Sequence, residues 1–139
     1  MGWEPYKLDK VAHDLVFARK DQKVDGEKNV LGQVYKMRTA VAYGLERFWG
    51  EQLRLDGEEA AYWKATWDAL VKIMGLADIT IPNSADRSEQ ISALWSEEFS
   101  INDRKVSIAV LTQLCDCMVW WTQRYKKTER GNGEKAHAE

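Results

Sequence analysis

Val106-Ser-Ile-Ala-Val-Leu-Thr-Gln-Leu-Cys-Asp-Cys-Met-Val-Trp-Trp-Thr-Gln-Arg-Tyr-Lys-Lys127 is too apolar for a surface helix and ends abruptly in positive charge. On a helix turning about 100° per residue, Val106, Val110, Cys117, Trp120 and Trp121 fall on one side and Ile108, Cys115 and Val119 on the other. Leu111, Leu114 and Met118 lie between them, which leaves only Thr112, Gln113, Asp116 and Gln123 as a polar strip. A helix this apolar belongs inside a bundle or under partner subunits. The expectation is an all-α fold with a largely buried C-terminal helix.

The rest of the chain reads the same way. Prolines occur only at Pro5 and Pro82, and the glycines separate periodic segments instead of marking hairpins. A first helix is expected from Tyr6 to about Lys20, with Pro5 suited to its first turn and Leu8, Val11, Ala12, Leu15 and Val16 as its buried stripe. Residues 21–29 read as a solvated loop with Asn29 as a candidate N-cap. A long second helix spans about Val30 to Leu53, with Gly32, Gly44 or Gly50 marking a close contact or a kink. Asp56 and Glu59 are spaced as a capping box for a third helix that ends at Gly75. The connection 76–90 is expected to be irregular, with Ile79-Thr-Ile81 as an extended strap and no sheet. Asp86 opens a short fourth helix to about Phe99, and Ser100 or Asn102 caps the last. One domain of about five helices over residues 1–127, followed by a disordered charged tail at 128–139, is the economical organisation for 139 residues.

Composition limits the function. The formal net charge is −2, so nucleic acid is not advertised by a global basic field and its binding needs a local patch. The apolar runs are too interrupted to cross a bilayer. The opening MGWEPYKLDK carries charge and no apolar run, so no membrane association and a cytoplasmic location are expected. Cys115 and Cys117 lie two apart on one helix, point away from each other and read as structural thiols. His13 and His137 have no neighbours at metal-ligand spacing, and the pairs Glu58-Glu59 and Glu97-Glu98 diverge on a helix. No phosphate loop or nucleophile motif is present. The expectation is a non-catalytic protein with no cofactor and no metal.

Seven tryptophans compete between core and surface roles. Trp49, Trp63, Trp67, Trp95 and Trp121 lie on the apolar sides of their helices and are expected in the core. Trp3 precedes the first helix, and one of the adjacent Trp120 and Trp121 must turn outward. Trp120, Val119 and Trp3 are therefore the candidate interface residues.

Charge patterning supplies the constructive hint. Lys36, Tyr43, Arg47 and Arg54 share one side of the second helix, opposite Val34, Val41 and Leu45, as a basic stripe with an aromatic in it. A solvated helix face accounts for such a stripe standing alone. The segment 122–135 adds a second cluster, in which Arg124, Lys126, Lys127, Arg130 and Lys135 face only Glu129 and Glu134. Helix-dipole compensation explains part of that cluster. Together the two patches suit a phosphate backbone, contacted without sequence preference, with Tyr43 able to stack on a base.

The segment Thr112 to Tyr125, with its apolar run closing on Trp121-Thr-Gln-Arg124-Tyr125, resembles the last helix of the small all-helical subunit of Cmr-type (type III-B) CRISPR effector complexes. Arg38-Thr-Ala-Val-Ala-Tyr-Gly44-Leu45, followed by Phe48, is similar to that family's Gly-Leu segment, and the order of the two matches. The expected proline before the Gly-Leu phrase is absent, Leu114 replaces a usual acidic residue, and the 76–90 connection has no counterpart. The resemblance implies a non-catalytic filament subunit, stacking with copies of itself along a guide RNA–target RNA duplex within a larger complex. A different class of reading is a protein-binding adaptor or small inhibitor that uses a tryptophan-rich surface and no nucleic acid.

Overall fold

The computed structural model describes the backbone of residues 5–24 and 28–138 and the side chains of residues 7–22 and 29–126. The chain is an all-α single domain. Its α-helices are α1 (Pro5–Phe17), α2 (Gln33–Ala40), α3 (Leu45–Arg54), α4 (Gly57–Leu76), α5 (Arg87–Leu94) and α6 (Ile101–Ala138). The α6 backbone continues through 128–138, the segment expected as a tail, and the side chains there lie outside the described set, as does that of Lys127.

The solvated loop at 21–29 contains a small antiparallel ribbon, with Lys23–Val24 pairing with Lys28–Asn29. Asn29 is the cap the sequence suggested. Its Oδ1 accepts from the Leu31 amide at 2.8 Å, and its Nδ2 donates to the Lys20 carbonyl at 2.7 Å, tying the turn after α1 to a 3₁₀ turn at Val30–Gly32.

The long second helix is two helices. A 3₁₀ turn over Val41–Tyr43 follows α2, and Gly44, at φ 99° and ψ 171°, then restarts the chain as α3. That positive φ is open to glycine at little strain and to few other residues, so Gly44 marks a break where periodicity alone suggests continuity.

The core is built on α4 and α6. Tyr62, Trp63, Thr66, Trp67, Leu70, Ile73 and Met74 are buried along α4, at the spacing of one broad helical face. Phe48 from α3 lies against Trp63, with ring centroids 4.9 Å apart, and against Trp67 at 6.4 Å. Each fully buried large apolar side chain contributes about 1.5–3 kcal/mol through removal from water. On α6 the buried face is Ser107, Val110, Leu111, Leu114, Cys115, Met118 and Thr122. The helix is not wrapped on every side, since Val106 and Trp120 are about half exposed. α1 and α2 pack along α6 and α3 packs along α4, and α1 covers the Trp121 side. There the Trp121 indole donates to Asp9 Oδ1 at 3.1 Å.

The helix ends follow local chemistry, with one exception. Asp86 accepts from the Glu89 amide at 2.9 Å and Ser100 from the Asp103 amide at 3.0 Å, both as expected of N-caps. Asp56 stands at the α4 cap position without a side-chain capping bond, and the Glu59 carboxylate accepts instead from Gln33 Nε2. α4 continues past Gly75 to Leu76 and closes with Asp78 at φ 61°, where the Ile79 amide reaches the Met74 carbonyl and the Asp78 amide the Gly75 carbonyl. This is the paired C-terminal hydrogen bonding that normally favours glycine at the left-handed position. The strap that follows forms no sheet. Ile81 is buried, and the buried Gln90 clamps the chain by donating to the Pro82 carbonyl and accepting from the Ser84 amide, both at 2.7 Å.

Candidate nucleic-acid interface

The break at Gly44 does not scatter the stripe. Lys36, Tyr43, Arg47 and Arg54 line one groove of about 380 Å³, together with Tyr35, Thr39, Ala40, Glu51 and the edge of Trp63. Tyr43 is 66% exposed, and the Arg47 guanidinium lies 5.1 Å from its ring centroid, which holds cation and aromatic together. Trp63 is fixed in the wall by a hydrogen bond from its Nε1 to Gln33 Oε1, 2.8 Å long.

Arg54 is the weakest of the stripe's three cations as a phosphate ligand. Its Nε and Nη2 both donate to Glu51 Oε2, at 2.9 and 2.7 Å, and that carboxylate raises the Arg54 pKa. A phosphate there has to compete with a carboxylate oxygen that already accepts two of the guanidinium's N–H groups.

The C-terminal cluster divides. Lys126 Nζ lies 5.4 Å from the centroid of Tyr35, a groove residue, and so joins the helix-two stripe. Arg124 points elsewhere, with its guanidinium 4.4 Å from the Trp120 ring centroid. Residues two apart on a helix diverge by about 200°, so one cluster in the sequence serves two faces in space. The Lys127 side chain lies outside the described residues.

Around Trp120 a second surface forms between α1 and α6. Trp120 and Trp121 meet edge to face at 4.6 Å, and Trp121 meets the His13 ring edge to face at 4.6 Å. His13 Nε2 and the Tyr125 hydroxyl are hydrogen-bonded at 2.7 Å, while His13 Nδ1 faces Asp14 Oδ1 at 3.2 Å. Hydrogen bonds from His13 and Lys10 hold the Asp14 carboxyl below its ordinary range. Trp120 and Phe17 are about half exposed and Val119 is half-buried. Trp3, the third candidate interface residue, lies outside the described residues.

Trp95 departs from expectation. It is 63% exposed, not a core residue. α5 ends at Leu94, so Trp95 is its C-cap and helical periodicity no longer governs where it points. Trp49, Trp63 and Trp67 are buried, and Trp121 is half-buried against the core. Tyr35 and Trp95 are exposed and Arg104 is half-buried, and none of the three belongs to the basic stripe. Tyr35 is adjacent in sequence to Lys36, whereas nothing local pairs Trp95 with Arg104.

Cys115 is buried and Cys117 half-buried, and both are free thiols. Burial pushes the Cys115 thiol up to about 12 and raises that of Cys117 as well. Neither is tuned to act as a nucleophile near neutral pH. Among the described residues, no group of three His, Cys, Asp or Glu side chains is placed to hold a metal ion, and no helix is long and apolar enough to cross a membrane.

No protein-family model, no curated protein and no solved structure matches this chain.

Proposed function

We propose that this chain is a non-catalytic RNA-binding scaffold subunit of a ribonucleoprotein complex, of the kind its resemblance to the small type III-B CRISPR effector subunit implies. The observation that carries the reading is the meeting of Lys36 and Arg47 with Tyr35 and Tyr43 along one groove, with Lys126 against the Tyr35 ring. Cations at intervals with exposed aromatic rings between them match a sugar-phosphate backbone with occasional stacked bases. An overall charge of −2 makes such a concentration of cations a local property of this face. The role is architectural and cytoplasmic, other subunits or copies of the chain are its protein partners, and any cleavage belongs to them.

Replacing Arg47 and Arg54 with Glu tests it. Affinity for a single-stranded or duplex RNA oligomer at low salt should fall at least tenfold while helicity by circular dichroism stays unchanged. Unchanged binding at low salt rejects the groove.

A second reading rests on the exposed Trp120 and Phe17 and the half-buried Val119. These suit a protein partner, as in an adaptor or small inhibitor, because aromatic residues are enriched at interface centres. Salt separates the two. Phosphate-driven association weakens steeply as salt rises, whereas an apolar protein contact is little affected.

A further inference from the structure

Tyr43 and Arg47 also line a second opening. With Glu46 from the first turn of α3, Trp95 from the end of α5 and Arg104 from α6, they surround a pocket of about 600 Å³, within the range of small-ligand sites. Its chemistry differs from that of the groove because its carboxylate, Glu46, accepts from an indole N–H, whereas the groove's Glu51 is held by Arg54.

Trp95 is held rigidly although it is exposed. Its indole N–H donates to Glu46 Oε2 at 2.5 Å, and the Arg104 guanidinium lies 4.2 Å from its ring centroid. Arg104 is itself anchored by a hydrogen bond from Nη2 to the Leu94 carbonyl. A large aromatic ring that is fixed in place and still 63% exposed is a stacking platform that loses little entropy on binding. Glu46 then selects what stacks there. A carboxylate accepts and never donates, so Glu46 favours a ligand that brings N–H donors, and the exposed ring favours one that is flat. Each carboxylate oxygen has two lone pairs, so accepting one indole N–H leaves room for two more donors.

Guanine meets this requirement better than the other bases. Its N1–H and N2–H₂ lie side by side and can be donated together to one carboxylate. Uracil presents its single N–H between two carbonyl oxygens that a carboxylate repels, and adenine and cytosine each place an acceptor nitrogen beside the amino group. We propose that this pocket takes an unpaired guanine base, stacked on Trp95 with its Watson–Crick edge on Glu46. The base must be unpaired because that edge is occupied. Placing the guanine within an RNA strand rests on the groove reading; the pocket chemistry itself does not.

The test titrates the full chain with a fluorescein-labelled uridine nonamer and with the same nonamer carrying one central guanosine, and with unlabelled GMP as a free-nucleotide probe. The guanosine oligomer should bind about tenfold more tightly, in line with the discrimination of a bidentate base contact. Glu46→Gln should remove that preference while leaving uridine affinity equal or improved, since it deletes a negative charge beside the groove. Trp95→Ala, at an exposed position, should remove the preference without unfolding the chain. Equal affinity of the wild type for the two nonamers overturns the pocket and leaves the groove standing. If neither nonamer binds but GMP does, and Glu46→Gln abolishes that binding, the pocket stands as a free-nucleotide site and the groove reading falls. Failure of all three probes overturns both.

Discussion

Lys126 Nζ sits 5.4 Å from the ring centroid of Tyr35, and this contact joins a basic cluster at the C-terminal end of the chain to a groove built by α2 and α3. A cation over an aromatic face keeps its charge available to an anion while its position is restrained. Lys126→Ala should therefore reduce the slope of log affinity for RNA against log salt by about one, with stability unchanged. Arg47→Ala should do the same, and Arg54→Ala should change the slope less because Glu51 already holds that guanidinium. An equal loss at all three positions argues against the geometry described, and salt titrations of the single variants decide it.

Two glycines six residues apart should respond oppositely to the same substitution. Gly44 adopts φ 99°, so Gly44→Ala strains the backbone although a Cβ meets nothing within 4 Å, and stability should fall by about 1–2 kcal/mol. Gly50 lies within α3 with equal space around it, so Gly50→Ala should raise stability by about 0.5–1 kcal/mol. Urea unfolding of the two variants measures both signs. Gly44→Ala should also weaken RNA binding, because the break sets Tyr43 relative to Arg47.

Trp63→Phe keeps most of the ring and deletes one hydrogen bond. The indole N–H is the donor to Gln33 Oε1, and Gln33 is buried beneath the groove with its amide on Glu59. Leaving that buried oxygen without its donor should cost about 1–3 kcal/mol. Trp63→Phe combined with Gln33→Leu should be less destabilised than the sum of the two single variants, which a double-mutant cycle reads directly.

Cys115 predicts an alkaline limb in the stability profile. Its thiol ionises near 9 when solvated, and burial pushes it up to about 12 in the folded chain. The raised folded value means the stabilisation is complete below about pH 9 and is lost as pH rises through the window up to about 12. Between those limits stability should decline by roughly 1 kcal/mol per pH unit from this group. Burial likewise raises the Tyr62 hydroxyl, which steepens the fall above its ordinary value of 10.0. Cys115→Ala should flatten the early part of the limb, as measured by denaturant unfolding at pH 8, 9 and 10.

The elements that local chemistry specifies were legible in the sequence. Asn29, Asp86 and Ser100 cap the turns and helices they precede because a short polar side chain reaches an amide two or three residues on, whatever the rest of the fold does. The α4 face of Trp63, Trp67, Leu70 and Met74 is buried as its periodicity requires. Lys36, Tyr43, Arg47 and Arg54 converge as their spacing indicated, despite the interruption at Gly44.

Tertiary packing decided the rest. Asp56 is spaced for a capping box, but Glu59 is drawn to Gln33, because satisfying a buried amide outweighs completing an exposed cap. Trp95 is apolar by pattern and exposed in fact, since the helix carrying it stops one residue earlier. The apolar α6 is buried on one face and leaves Trp120 outside, because the elements that pack on it, chiefly α1 and α2, cover that one face. Capping and periodicity act over one or two turns and are written in neighbouring residues. Which cation meets which ring, Lys126 with Tyr35 or Arg104 with Trp95, depends on how separate helices cross, and that is set by packing the whole core at once.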